Sequence, residues 1–244
     1  MSLGHGSSIV RDGLIFYMDP KNTKCYSGTG ISLNNLATKN NNIQPRLVNG
    51  PVVTDGEIIF DGVNDSIRMF NTDTSTFTIG NPPDISSTEE FTIEQIFKPT
   101  FITTENFFSL RNQLLRKGAG ASTLHFWTNI DTNTTFRFYA RNSTEILKSV
   151  QFTTPEMLNK INAVTITVSG FNVSCYHNGN FLGTQTISTN FIESRASDTM
   201  GIGDLGVSAT WFTGSYYNCK IYNRSLSPQE IQQNFEATRG RYGL

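Results

Sequence analysis

The chain has 244 residues, a formal charge of −1 and only 16% charged residues. No basic stripe or block appears, which argues against electrostatically driven nucleic-acid binding. No apolar run is long enough to span a membrane or to act as a signal peptide.

Asn, Thr, Ser and Gly are abundant and there are 18 Phe, a mixture that suits a sheet protein with polar loops and an aromatic core. The three cysteines, Cys25, Cys175 and Cys219, are far apart and lack metal-ligand spacing. They are expected as free, buried thiols, consistent with synthesis in a reducing cytoplasm. Asn133, Asn142, Asn172 and Asn223 each begin an N-x-[ST] triplet, and these are read as unused chance matches.

In chain order, "DGLIFYMDP" is an apolar run ended by a turn, and predicts a buried strand. The polar, Asn-rich stretch from Lys21 to Gly50 predicts a long loop across an end of the fold. "EIIFDGVNDSIRMF" predicts two strand pieces around an Asp-Gly turn. In "FTIEQIFKPTF", Phe91, Ile93 and Phe97 fall on one face and Thr92, Glu94 and Lys98 on the other, with Ile96 the exception. "NQLLRKG", "TLHFWTNI" and "TFRFYARN" are further short strands. "TPEMLNKI" predicts a brief helical turn.

The clearest hairpin array is "AVTITVSGFNVSCYHNGNFLGTQTI", where Val164, Ile166 and Val168 alternate with Thr165 and Thr167. Asn178-Gly179 favours a type I′ turn, because both central residues need positive φ. After a last strand in "WFTGSYYNCKIYNR" the pattern becomes helical. Ser227 is an N-cap, Pro228 falls at the first helical position, and Glu230 completes a capping box. Leu226 and Ile231 have the spacing of a hydrophobic staple, Ile231 and Phe235 share a face, and Gly240 offers a stop. Many short strands and one strong helix predict an all-β, two-sheet antiparallel jelly-roll sandwich. It is read as a single domain over 1–244, with an N-terminal arm (1–12), a C-terminal helix (227–237) and a tail (238–244).

The ordered set "FDGVNDSI", "FTIEQIFKP", "LLRKG", "CYHNGNFLG", "GIGD" and "GSYYNCKIYNRSLSPQEI" resembles the concanavalin A-like lectin/glucanase superfamily, and more narrowly its laminin-G-like jelly-roll branch. The opening "GLIFYMDPKNTKCYSGTG" and the ending "FEATRGRYGL" look more particularly like domains of tailed-phage virion proteins. The resemblance implies two stacked antiparallel sheets with the helix at the sheet edge or end. Where relatives often carry Trp-His-His-Val, this chain has "KINAVTITV", which weakens inheritance of any site there.

The resemblance includes glucanases, and glycoside hydrolysis needs two carboxyl groups about 5–9 Å apart. Glu90 and Glu94 have the same strand parity but lie four apart with Thr92 between them. The alternating acids of the glucanase strand are absent, and Glu94 reads as a solvated outer-face residue. His5, His125 and His177 are isolated, with His177 a rim residue of its hairpin. No Gly-x-Ser-x-Gly elbow occurs, and "GAGAS" lacks the Lys and helix of a phosphate loop. No catalytic residue is assigned.

Calcium fits the resemblance. Asp61, Asn64 and Asp65 in "DGVND" would be its ligands, with Asp204 another loop acid, although the same residues also read as a plain turn. Trp211, Tyr217 and Trp127 are candidate glycan or partner contacts. The resemblance puts Phe212 at a core position of the family, which implies that its neighbour Trp211 points outward. The expected function is a non-enzymatic phage virion structural protein: capsid decoration, neck, tail or fibre. It would contact other virion proteins or copies of itself, with host-surface polysaccharide as a further partner. The alternative is a carbohydrate-binding lectin-like module; a hydrolase ranks below both.

Overall fold

The computed structural model describes residues 8–37, 43–71, 90–102, 113–117, 126–141, 147–187, 200–203 and 211–244. His5, Glu89, His125, Asn142, Asp204 and the segment 118–122 lie outside them. The strands are β1 (Leu14–Met18), β2 (Ile43–Val48), β3 (Val52–Thr54), β4 (Glu57–Asp61), β5 (Ser66–Asn71), β6 (Glu90–Pro99), β7 (Gln113–Lys117) and β8 (Phe126–Thr132). They continue as β9 (Thr135–Arg141), β10 (Leu147–Thr153), β11 (Asn162–Ser169), β12 (Asn172–His177), β13 (Asn180–Thr186), β14 (Met200–Ile202) and β15 (Thr213–Tyr222), and α1 spans Pro228–Tyr242.

Two antiparallel sheets form the sandwich. Sheet A runs β13-β12-β11-β6-β15-β4-β3, and sheet B runs β10-β9-β8-β7-β14-β5-β2. In sheet A, β15 carries β6 along one edge, while β4 and β1 lie end to end along the other. β4 belongs to sheet A and β5 to sheet B, so the "DGVND" turn carries the chain between layers rather than closing a hairpin.

The Phe-rich sequence fills the space between the sheets. Phe91 stacks on Phe126 with centroids 5.2 Å apart, Phe97 on Phe136 at 6.4 Å, and Phe60 meets Phe212 edge-on at 5.7 Å. Each ring removed from water contributes roughly 1.5–3 kcal/mol. Gln95 is a polar tie in this layer: its Nε2 donates to Thr128 Oγ1 across the sandwich at 3.1 Å, and its Oε1 accepts from Tyr216 Oη at 3.0 Å.

Three expectations are corrected. The stretch from Lys21 to Gly50 contains a strand, β2, because Ile43 and Leu47 alternate with half-buried residues and pair with β5. "TPEMLNKI" forms no helix; its chain reversal uses Asn159 at φ 58° and a bond from Lys160 N–H to Met157 O. The helix does not stop at Gly240. It runs to Tyr242 and is closed by Gly243 in the left-handed region at φ 72°. Residues 238–242 are therefore helix, not tail.

The remaining local features agree with the sequence. Asn178 and Gly179 both have positive φ, at 50° and 78°, and the capping box of Ser227 and Glu230 is present. All three cysteines are free and buried. Leu226 and Ile231 share a second apolar cluster with Val10, Leu14, Tyr17 and Tyr222. This cluster lies between sheet A and α1, so the helix makes a third layer over the middle of the sheet rather than sitting at its edge. β1 contributes Phe16 and Met18 to the inner core and Leu14 and Tyr17 to the outer cluster. Burial on both faces, through an irregular register between Leu14 and Phe16, explains its unbroken apolar run.

Candidate functional site

Beside that apolar cluster, the face of sheet A beneath α1 also buries a set of polar and charged side chains. On β6 the residues Thr92, Glu94 and Ile96 point toward the helix side, which is why Ile96 broke the alternation. Glu94 is 6% exposed and Lys220 is 2% exposed, so the expected solvated Glu94 is corrected. The two are cross-strand neighbours joined by an ion pair, Nζ to Oε2, of 3.0 Å. Asn234 of α1 donates from Nδ2 to Glu94 Oε1 at 3.0 Å and to Tyr222 Oη at 2.9 Å, while its Oδ1 accepts from Val10 N–H at 2.7 Å. Further along, Asp19 accepts from Tyr17 Oη, Arg241 Nη1 and Tyr242 Oη at 3.1, 2.7 and 3.0 Å. Every charge here has a partner, and the arrangement is a helix dock.

Glu90 is exposed and accepts from Ser169 Oγ at 3.0 Å. Four residues along one strand separate it from Glu94 by about 13 Å, and α1 covers only the latter. The Glu90/Glu94 pair therefore cannot flank one glycosidic bond.

The "DGVND" turn uses its own carboxylates. Asp61 Oδ1 accepts from Val63 N–H at 2.8 Å and Asn64 N–H at 3.4 Å, while Asp65 Oδ2 accepts from Asp61 N–H at 3.0 Å. The Asn64 carbonyl accepts from Asn49 Nδ2 at 2.9 Å. Burial raises the Asp65 carboxyl above its ordinary range. A calcium shell needs six to eight oxygens, and these three side chains, two of them already holding backbone N–H groups, supply too few by themselves to fit one. Among the described residues no group of three or more His, Cys, Asp or Glu is placed to hold a metal.

The three aromatic candidates do not converge. Tyr217 sits at an irregularity of β15 on the helix side of sheet A, donates to Glu57 Oε2 at 2.7 Å and packs on Tyr242 at 5.7 Å. Trp211 is half-buried just before β15, beside buried Phe212. Trp127 lies on the far face of the molecule, on the outer side of sheet B.

That outer face is where aromatic and polar groups assemble. Phe126, Thr128 and Ile130 of β8 point inward, so Trp127, Asn129 and Asp131 point outward. β9 places Arg137 and Tyr139 beside them, and β10 adds Gln151. Trp127 and Tyr139 are register partners whose rings stack 4.7 Å apart at 8°. The Arg137 guanidinium lies 5.5 Å from the Tyr139 ring centre, pairs through Nε with Asp131 Oδ2 at 2.5 Å, and donates from Nη2 to Gln151 Oε1 at 2.6 Å. Asn129 Nδ2 donates to Asp131 Oδ1 at 2.8 Å. Burial raises the Asp131 carboxyl, opposed by Arg137, and burial also raises the Tyr139 phenol. Trp127 is only 3% exposed, yet its indole N–H has no acceptor among the described residues. A buried donor without an acceptor costs about 1–3 kcal/mol.

From sequence, only Trp127 of this group was singled out. The signal for its neighbours was the alternation in "WTNID" and "FRFYAR", where a polar or aromatic residue follows each inward one.

Comparison with known proteins adds the family. A laminin-G-type model described as the concanavalin A-like lectin/glucanases superfamily matches residues 70–232. No curated protein matches the sequence. Among solved structures, the botulinum neurotoxin serotype D binding domain superposes with a TM-score of 0.66 at 16% identity, over 93% of this chain and 52% of that one. A botulinum neurotoxin serotype D ligand binding domain in complex with N-acetylneuraminic acid gives 0.64 at 15% identity, over 93% and 51%. A Trypanosoma rangeli sialidase in complex with the inhibitor DANA gives 0.66 at 17% identity, over 93% and 33%. The chain thus spans about half or less of each of these structures, and at such identities the likeness shows the fold.

Proposed function

The chain belongs to the concanavalin A-like lectin/glucanase superfamily, and we propose that it is a non-enzymatic, carbohydrate-binding structural protein of a tailed-phage virion. The observation that carries the binding reading is the outer face of sheet B, where half-buried Tyr139 and Arg137, backed by the buried Trp127 ring, lie beside Asp131 and exposed Gln151. Sugars present apolar ring faces and hydroxyls together, and this face supplies an aromatic wall, amide and guanidinium donors, and a carboxylate acceptor. Complexes of similar folds with N-acetylneuraminic acid support carbohydrate as the ligand class.

The non-enzymatic reading is supported by how the described carboxylates are used. Glu94 and Asp19 are neutralised under α1, Asp61 and Asp65 close a turn, and Asp131 is ion-paired. The sialidase likeness keeps hydrolysis open to assay.

Virion placement rests on the resemblance carried by residues 13–30 and 235–244. Protein–protein attachment is supported by the cross-strand pair Val52 and Ile59 on the edge hairpin of sheet A, 59% and 36% exposed. Calcium is left out of this reading because the 61–65 turn does not fit it.

A glycan array probed with the purified protein, together with peptide mass spectrometry of purified virions, tests both halves. Binding to a defined glycan class that is lost in Tyr139→Ala supports the first. Peptides of this chain in washed particles support the second, and their absence overturns it.

A further inference from the structure

At one end of the sandwich, a recess of about 230 Å³ opens between the β12–β13 hairpin and the 155–161 segment, lined by Glu156, Lys160, Ile161, His177, Asn178 and Leu182 among others. His177 is 5% exposed, so the rim position expected from sequence is corrected. On β12 it shares the inward parity of Val173 and Cys175, and it forms register pairs with Val164 and Asn180.

The orientation of its ring follows from its partner. Asn162 Nδ2 donates to Met157 O at 3.0 Å and Lys160 O at 2.6 Å, which fixes Asn162 Oδ1 as the atom facing His177 Nε2 at 2.9 Å. Oδ1 can only accept, so Nε2 carries the proton and Nδ1 of the neutral ring is an acceptor. No partner for Nδ1 occurs among the described residues, and the residue lines the recess. The Asn178 side chain is fixed likewise: its Oδ1 accepts from Ala163 N–H at 2.8 Å, leaving its NH₂ group as donor. At the mouth, Lys160 and Glu156 pair at 3.3 Å and cancel each other's charge. Ile161 and Leu182 give an apolar wall.

We propose that this recess is a second ligand site, separate from the sheet B face, that takes one neutral sugar ring with His177 Nδ1 accepting a ring hydroxyl and the Asn178 amide donating to another. The volume lies below the roughly 300–1,000 Å³ of sites for drug-sized ligands and matches a single ring. The balanced mouth favours an uncharged ligand. The inference does not rest on the Trp127 face.

The test is a titration of the full chain with glucose, galactose, mannose and N-acetylglucosamine, read by long-range proton–nitrogen correlation of the His177 ring. At least one sugar is expected to move the Nδ1 resonance saturably while Nε2 stays protonated. Leu182→Trp, which fills the recess without touching the His177–Asn162 bond, should weaken that sugar by about tenfold or more. If that variant melts early, Ile161→Trp fills the recess from the other wall. Saturation by none of the four sugars, or unchanged binding in a folded filled variant, overturns the site. Glycan-array binding that is lost in Tyr139→Ala but kept in Leu182→Trp reports on the sheet B face alone, so the two readings fail separately.

Discussion

Glu94 and Lys220 face each other across β6 and β15, 3.0 Å apart, beneath a helix that hides both from water. Neither strand alone identifies the pair as buried. Removing one partner leaves an unpaired buried charge, which typically costs 3–5 kcal/mol. Lys220→Met is therefore expected to destabilise by about that amount, and the double variant Glu94→Gln/Lys220→Met by clearly less. Urea unfolding of the single and double variants checks this; equal losses would show that the pair does not act as a unit.

Asn234 holds β6, β15 and the N-terminal segment at once. Asn234→Leu keeps the volume but leaves the Val10 N–H and one Glu94 oxygen without partners. A loss of roughly 2 kcal/mol or more is expected, read as a lower urea midpoint. A neutral result would mean that water enters the dock.

On the sheet B face, Trp127→Phe keeps a ring and deletes the orphan indole donor. Buried Trp127 acts on a sugar only through Tyr139, so glycan affinity should fall by less than about fivefold, the worth of one hydrogen bond of roughly 1 kcal/mol. In the folded protein the variant loses part of a buried, stacked ring and sheds an unpaired donor, so the melting temperature should fall only modestly. Calorimetric titration with an array-identified glycan and a thermal melt separate the two effects.

Acid should weaken the fold in two stages. Burial lowers His177 to about 4 from its ordinary 6.5. The unfolded chain binds that proton first, so stability falls as pH drops from 6.5 to 4, by on the order of 3 kcal/mol. The bidentate Arg224 pair and the capping box lower Glu230 to about 2. Its contribution is full above the ordinary 4.5 and fades as pH falls toward 2. Urea midpoints measured from pH 7 to 3 should decline throughout, and His177→Phe should flatten the upper stage.

The 61–65 turn predicts indifference to calcium. A ligand that binds only the folded state raises stability through mass action, so a melting temperature unchanged between chelator and millimolar calcium is expected. A clear rise with calcium would return Asp61, Asn64 and Asp65 to consideration as ligands.

The sequence by itself determined the elements whose causes are local. Ser227, Pro228 and Glu230 specify the helix start through bonds within four residues, and Asn178-Gly179 specifies its hairpin because few other pairs adopt two positive φ angles. The alternation of Val164 to Val168 marked one face of β11 without any knowledge of its neighbours.

Only the tertiary structure decided which polar faces meet water. Glu94, Lys220 and Asn234 are written as a solvated pattern and become a core because α1 lies over them. Asn234 does sit where the buried stripe of Ile231, Thr238 and Tyr242 requires an inward residue, but its polarity hid the stripe. His177 and Asn162 are fifteen residues apart and meet across paired strands. Trp127, Arg137 and Gln151 need three strands in register to form one face. Periodicity reports the side of an element on which a residue lies. What covers that side is set by long-range packing, and both the helix dock and the two candidate ligand sites depend on it.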